Sequence, residues 1–162
     1  MPVVKGASLY FPARPADLHK FLPNARTNGG LFRKPSQVSF DAADQRVQFN
    51  FMPDKDRKIH LEGLTRYLSH LVQQGTSTQT QVKSVTRLLP DIQCVLGLVL
   101  QRPFELNSDL TATLFTVAYL YRGFVFMLDS IYSGEMETLC GPVVLEPNRA
   151  LIKALKAARP RA

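Results

Sequence analysis

The chain is poor in several residue types that would identify its class. Among its 162 residues there is no tryptophan, and there are two cysteines and three histidines. Two cysteines cannot build a disulfide framework or a four-cysteine zinc site, so Cys94 and Cys140 are expected to be small buried hydrophobic residues. The histidines His19, His60 and His70 do not cluster, whereas a zinc site needs three or four converging ligands. We therefore expect no bound metal.

Long hydrophobic runs and known catalytic motifs are also missing. No apolar stretch reaches the roughly 20 residues that a transmembrane helix requires, and the first residues lack the apolar core of a secretory signal peptide. These two features predict a soluble, cytoplasmic protein. The sequence contains no P-loop, GxGxxG, GxSxG, HExxH or CxxC motif. It therefore indicates no cofactor and no catalytic residue, and an enzyme is less expected than a binding protein.

The charge of the chain is uneven. Its formal net charge is +7. The net charge is +5 for residues 1–60, −2 for residues 61–145 and +4 for residues 146–162. The central part is thus mildly acidic and both ends are basic. Such ends attract anions without identifying a partner.

A basic loop near the N-terminal end offers one candidate site. Asparagine and glycine residues at 24–30 predict a loop, and Arg26, Arg33 and Lys34 flank it. Basic side chains beside a glycine-rich loop can bind a phosphate or another anion. Together with the basic residues 146–162, they support an alternative function, namely nucleic-acid binding through both ends.

The stretch 93–141 is the predicted centre of the fold. Residues 93–100 form a short apolar run typical of a strand covered on both faces. Residues 107–122 begin with capping residues and continue with helical spacing of apolar positions. Residues 124–129 form a second apolar run. This order predicts a βαβ unit, whose two strands would be parallel and adjacent.

The other segments are expected to add hairpins and helices to this unit. The patterns predict a strand at 6–11, a hairpin within 38–51, helices at 16–22, 59–74, 81–89 and 149–158, and a strand at 136–140 that pairs back on 124–128. The expected class is α+β, a single domain over 1–162 with a mixed sheet and helices mainly on one face. Residues 146–162 are expected to form a basic amphipathic helix or tail.

Polar side chains follow both strands of the βαβ unit. Arg102 and Glu105 follow the first strand, and Asp129, Ser130 and Tyr132 follow the second. Ligands of parallel sheets bind beyond the carboxyl ends of the strands, and an arginine beside carboxylates can hold an anion or a polar ligand. The alternative is a purely structural role in ion pairs and helix capping. No nucleophile with an adjacent base is visible.

The predicted helix 107–122 is apolar on more than one side. Phe115, Tyr119 and Leu120 lie off its main apolar stripe. A helix that is apolar most of the way round is either central in its own fold or covered by another chain. In the second case these three residues would form a partner or dimer interface.

These observations favour a non-catalytic protein-binding module that binds one protein partner or self-associates. In general build the chain looks like small bacterial α+β proteins that act by binding, such as toxin-neutralising immunity proteins or secretion adaptors. Two alternatives stay open. One is nucleic-acid binding through the basic N-terminal loop and C-terminal tail, and the other is a small-ligand binder or enzyme that uses the polar edge at Arg102 and Asp129.

Overall fold

The computed structural model describes residues 2–29 and 34–158. Its described part has ten strands, four α-helices and two short 3₁₀ turns (Leu18–Phe21 and Leu89–Asp91). In chain order the strands and α-helices are β1 (Val3–Val4), β2 (Ala7–Phe11), β3 (Arg26–Thr27), β4 (Gln37–Ala42), β5 (Gln45–Phe51), α1 (Asp54–Gln73), α2 (Gln79–Thr86), β6 (Cys94–Val99), β7 (Phe104–Glu105), α3 (Asp109–Leu120), β8 (Phe124–Met127), β9 (Ser130–Ser133), β10 (Thr138–Cys140) and α4 (Arg149–Ala158).

Eight of these strands form one sheet. Their order is β10-β9-β8-β2-β6-β5-β4-β3, and β1 and β7 form a separate two-stranded ribbon. All pairings between the described strands are antiparallel. An antiparallel sheet with helices in one chain confirms the α+β class. None of the described helices has the length and apolar character needed to span a membrane.

The strand–helix–strand unit is confirmed as β6, α3 and β8, but its strands are not neighbours. Both strands are antiparallel to β2, so they run parallel to each other. Because β2 lies between them, the prediction that they are adjacent is wrong. β6 and β8 are thus parallel strands separated by β2. A mixed sheet was expected, but every pair of neighbouring described strands is antiparallel. β2 takes the place between them because its Leu9, Tyr10 and Phe11 are all buried, which requires neighbours on both sides and cover on both faces.

The sheet is covered on both faces because the side chains of a strand alternate. Leu9 and Phe11 point into a cluster with Leu114 and the rest of α3. Tyr10 points the other way, into a cluster with Leu68 of α1 and with α2. The helices therefore occupy two faces instead of mainly one. Burial of β2 on both sides makes this arrangement necessary.

The first long helix begins earlier than its pattern predicted. Residues 52–58 looked like a charged linker, yet α1 starts at Asp54. Asp54 and Asp56 lie in its first turn, where a carboxylate stabilises the positive end of the helix dipole. The charges that suggested a linker are therefore part of the helix.

A strand was missed after β8. Leu128 and Asp129 form a two-residue turn in which both residues have positive φ angles, 54° and 59°. A leucine in this conformation is uncommon, so no local pattern in the sequence predicted a tight hairpin here. The turn leads into β9, and β10 pairs with β9. The prediction that residues 136–140 pair with residues 124–128 is therefore wrong.

Candidate functional site

The five polar-edge residues lie in separate places. Arg102 supports the turn between β4 and β5. Its guanidinium donates to the carbonyls of Ala43 and Asp44, and its backbone N–H donates to Oε1 of Gln45. Glu105 is exposed on β7, where it pairs with β1. The contacts of Arg102 and the position of Glu105 are therefore those of structural residues, and neither residue is placed beside Asp129.

Ser130 and Tyr132 hold the segment that follows β10. The Ser130 Oγ accepts a hydrogen bond from the backbone N–H of Val143 at 3.0 Å, and the Tyr132 hydroxyl donates to the Val143 carbonyl at 2.7 Å. Both side chains are fully buried. They stabilise the packing of the chain against β9 and do not face solvent, so they cannot contact a ligand at the surface.

Asp129 is the polar-edge residue that lines a cavity of about 570 Å³. We name this cavity the strand-end pocket. Its lining residues are Val3, Lys5, Gly6, Ala7, Ser8, Gly97, Leu98, Phe126, Met127, Leu128 and Asp129. Its volume lies within the range of about 300–1,000 Å³ that is usual for ligand sites.

The path of the N-terminal segment creates the strand-end pocket. β2 pairs with β6 and β8 from Ala7 onward, whereas Val3 and Val4 pair with β7. The chain therefore leaves the sheet before Ala7 and opens a gap beside the last residues of β6. The gap is open beside Gly6 and Gly97, since an added Cβ at either position would meet no atom within 4 Å.

The rim of the strand-end pocket combines opposite charges with exposed apolar surface. Lys5 and Asp129 are exposed, and neither forms an ion pair with another described residue. Val3, which lines the pocket, is 50% exposed. Apolar surface exposed in a groove with a polar rim is typical of a binding site.

A polar pair of buried Tyr10 and half-buried His60 lies between the sheet and α1. The Tyr10 hydroxyl and Nε2 of His60 are 2.7 Å apart, and the Tyr10 ring stacks on Phe124. Burial raises the pKa of Tyr10 and lowers the pKa of His60. The two residues are fifty positions apart, so no local pattern in the sequence could have paired them.

The pH dependence of stability should depend on His60. Because burial holds its folded-state pKa below the ordinary value of 6.5, the unfolded chain binds a proton more readily. Stability should therefore be full above pH 6.5 and fall as the pH drops from 6.5 through the folded pKa. Urea unfolding at pH 7.5 and 5.5 measures this loss. His60→Gln should reduce it, and His70→Gln on the exposed side of α1 should not; equal behaviour of both variants would contradict the assignment.

The cysteines are buried, as expected, and offer no nucleophile. Burial raises the pKa of Cys94 and of Cys140 to about 11. Both thiols therefore stay protonated near neutral pH, whereas the thiolate is the reactive form. In residues 2–29 and 34–158, no group of three His, Cys, Asp or Glu side chains is placed to hold a metal ion.

Two of the three residues expected at a partner interface, Phe115 and Tyr119, are buried in the protein's own interior. Phe115 has no exposed surface and packs edge-on against Tyr132, with ring centroids 6.1 Å apart. Tyr119 is 7% exposed and Leu120 is half-buried. Since α3 packs against the sheet on one side and against α4 on another, its apolar character reflects a central position.

The basic loop residues face different directions. Lys34 lines a second cavity of about 520 Å³, which we name the loop pocket. Arg26 is exposed on β3, where its partner in the ladder is Ser39. Its neighbour Thr27 lines the loop pocket, so Arg26 points to the opposite face of the strand. Arg33 lies outside the described residues.

Within residues 2–29 and 34–158, the basic side chains near the two ends of the chain do not lie on one surface. Arg26 belongs to β3, one edge of the eight-stranded sheet. At the other end, Lys156 of α4 forms an ion pair with Glu135 at 3.9 Å, and Glu135 lies in the turn between β9 and the opposite edge strand β10. A single nucleic-acid strand would have to cross the width of the sheet to contact both ends.

Comparison of the chain with protein-family models, with curated proteins and with solved structures finds no match. Function must therefore be inferred from the surfaces of the molecule itself. Two concave surfaces stand out: the strand-end pocket and the loop pocket. Lys5, Gly97 and the neighbouring strand ends escaped prediction because residues from separate segments meet there only in the folded chain.

Proposed function

We propose that the protein is a non-catalytic protein-binding module and that the strand-end pocket holds an extended segment of one protein partner. The observation that carries this proposal is the coincidence of a cavity of about 570 Å³ with the exposed aliphatic side chain of Val3 in its lining. Partner binding would remove Val3 from water, which is favourable for an aliphatic side chain. Immunity-type and adaptor proteins are the class of small binding proteins that this function would suit.

The lining of the pocket favours a chain segment as its occupant. The floor consists of strand ends, and the absent side chains of Gly6 and Gly97 let another backbone approach closely. Lys5 and Asp129 place one positive and one negative charge on the rim. A segment that carries an acidic and a basic residue would pair with both, and such rim charges set partner choice more than affinity.

Filling the pocket tests this function. In Gly97→Leu the new side chain points into open space, so the variant should fold normally while it occupies the cavity. Peptides selected from a random 12-residue phage library on the wild-type protein should bind Gly97→Leu at least about 10-fold more weakly, which corresponds to roughly 1.4 kcal/mol. Val3→Asp should also weaken binding of the same peptides.

A matched control distinguishes binding in the pocket from nonspecific binding to exposed apolar residues. Leu88 is 44% exposed, close to the 50% of the pocket residue Val3, but it does not line the pocket. Leu88→Asp should therefore leave peptide binding unchanged. Circular dichroism and thermal unfolding would establish that all variants fold. Peptides that bind wild type and Gly97→Leu equally, or whose binding changes equally in Leu88→Asp and Val3→Asp, would contradict the proposal.

A further inference from the structure

The loop pocket has a basic wall over an apolar floor. Its lining residues are Arg14, Pro15, Ala16, Asp17, Leu18, His19, Thr27, Gly29, Lys34, Pro35, Val38 and Phe51. One carboxylate is among them, and it forms an ion pair with Lys20 at 3.4 Å. The balance of charge around the cavity is therefore positive. Lys34 forms no ion pair with another described residue, and it is exposed.

Arg14 is held in place at this pocket. Its guanidinium carbon lies 3.9 Å from the centroid of the Phe51 ring, and its Nη2 donates to the carbonyl of Pro35. The aromatic ring covers one face of the guanidinium, and the residue is otherwise exposed. A fixed, planar cation of this kind is a surface on which a nucleic-acid base stacks.

The remaining basic groups suit a phosphate. Lys34 can approach a phosphate as a mobile point charge, and the ring of His19 can donate a hydrogen bond from a nitrogen. Leu18, Val38 and Phe51 are buried beneath, so the floor of the cavity is apolar. A volume of about 520 Å³ accommodates a ligand of moderate size.

We propose that the loop pocket binds a nucleotide phosphate ester, with the base stacked on Arg14 and the phosphate between Lys34 and His19. The ligand is either a free mononucleotide or one nucleotide of a single strand, since both present the same base and phosphate. This site is separate from the strand-end pocket, and it does not depend on protein-partner binding.

Calorimetric titration of the wild-type protein with AMP, with a deoxythymidine decanucleotide and with inorganic phosphate tests the proposal. AMP or the decanucleotide should bind saturably, and inorganic phosphate should bind more weakly than either because it has no base to stack. Lys34→Gln and Arg14→Lys should each weaken nucleotide binding about 10-fold. Arg14→Lys keeps the positive charge but loses the planar group.

Arg26→Gln is the matched control because it removes one positive charge from the same region of the chain on the opposite face of β3. It should change nucleotide binding less than twofold, and Gly97→Leu should not change it. Tight binding of the decanucleotide with a steep salt dependence would identify a single strand as the source, and AMP binding alone would identify a mononucleotide. The proposal is overturned if neither binds, or if Arg26→Gln weakens binding as much as Lys34→Gln.

Discussion

Gly141→Ala should lower the free energy of unfolding by at least about 3 kcal/mol. Gly141 has a φ angle of 112°, a region that residues with a side chain rarely adopt. An added Cβ would also lie 2.5 Å from the Cβ of Ser130. Ser130 is fully buried in β9, so relief of this overlap requires movement of a strand or of the segment that follows β10.

The neighbouring hydrogen bonds increase the expected cost of this change. The backbone N–H of Gly141 donates to Oγ of Ser77 at 2.8 Å, which joins the start of α2 to β10. Two residues further on, Val143 donates to Ser130. A shift of Gly141 would weaken both contacts, and a buried polar group left without a partner costs about 1–3 kcal/mol.

Gly75→Ala is the control for the change in Gly141. Gly75 also has a positive φ angle, 75°, but an added Cβ there would meet no atom within 4 Å. The variant should therefore lose about 1–2 kcal/mol, the backbone cost alone. Urea unfolding followed by circular dichroism measures both values. Equal losses for the two variants would show that the contact with Ser130 does not matter.

Phe115→Ala should lower the free energy of unfolding by about 3–5 kcal/mol. Its side chain has no exposed surface and packs against Tyr132 between α3 and β9. The substitution removes a ring from the largest buried cluster and leaves a cavity that the strand cannot close. Thermal and urea unfolding of the isolated protein measure the effect.

Phe21→Ala provides the comparison for the core substitution. Phe21 is 43% exposed and touches the ring of Tyr121 edge-on. Its replacement should cost no more than about 1.5 kcal/mol, because much of its surface is already in water and only part of the transfer energy is lost. If Phe115→Ala left stability unchanged, the residue would be a surface residue available to a partner, and the central position of α3 would be refuted.

Local patterns in the sequence predicted the long helices and several of the strands, although β9 was missed. A hairpin was predicted within 38–51, and Val47, Phe49 and Phe51, which alternate there with polar residues, are buried on one face of β5. A helix was predicted at 149–158, and at its start Oδ1 of the capping residue Asn148 accepts a hydrogen bond from the backbone N–H of Leu151. Alternation and capping depend only on the nearest few residues, so they can be recognised without knowledge of the tertiary structure.

The order of the strands in the sheet could not be predicted from local sequence patterns. Three consecutive buried residues, Leu9 to Phe11, are compatible with any central place in a sheet, and pairing with β6 and β8 joins segments that are far apart in the chain. The same limitation applied to the site. Asp129 and Lys34 were selected for their residue types, but their pocket partners Lys5 and Arg14 come from another segment.

The sequence by itself determined the α+β class, the strand–helix–strand order around α3 and the basic character of both ends, because composition and periodicity act locally. The tertiary structure alone decided what covers each surface. It placed Phe115 and Tyr119 under the protein's own elements, separated Arg102 from Asp129, and opened a pocket where the chain leaves the sheet before Ala7. Burial depends on which distant segment packs against a residue, and no local pattern contains that information.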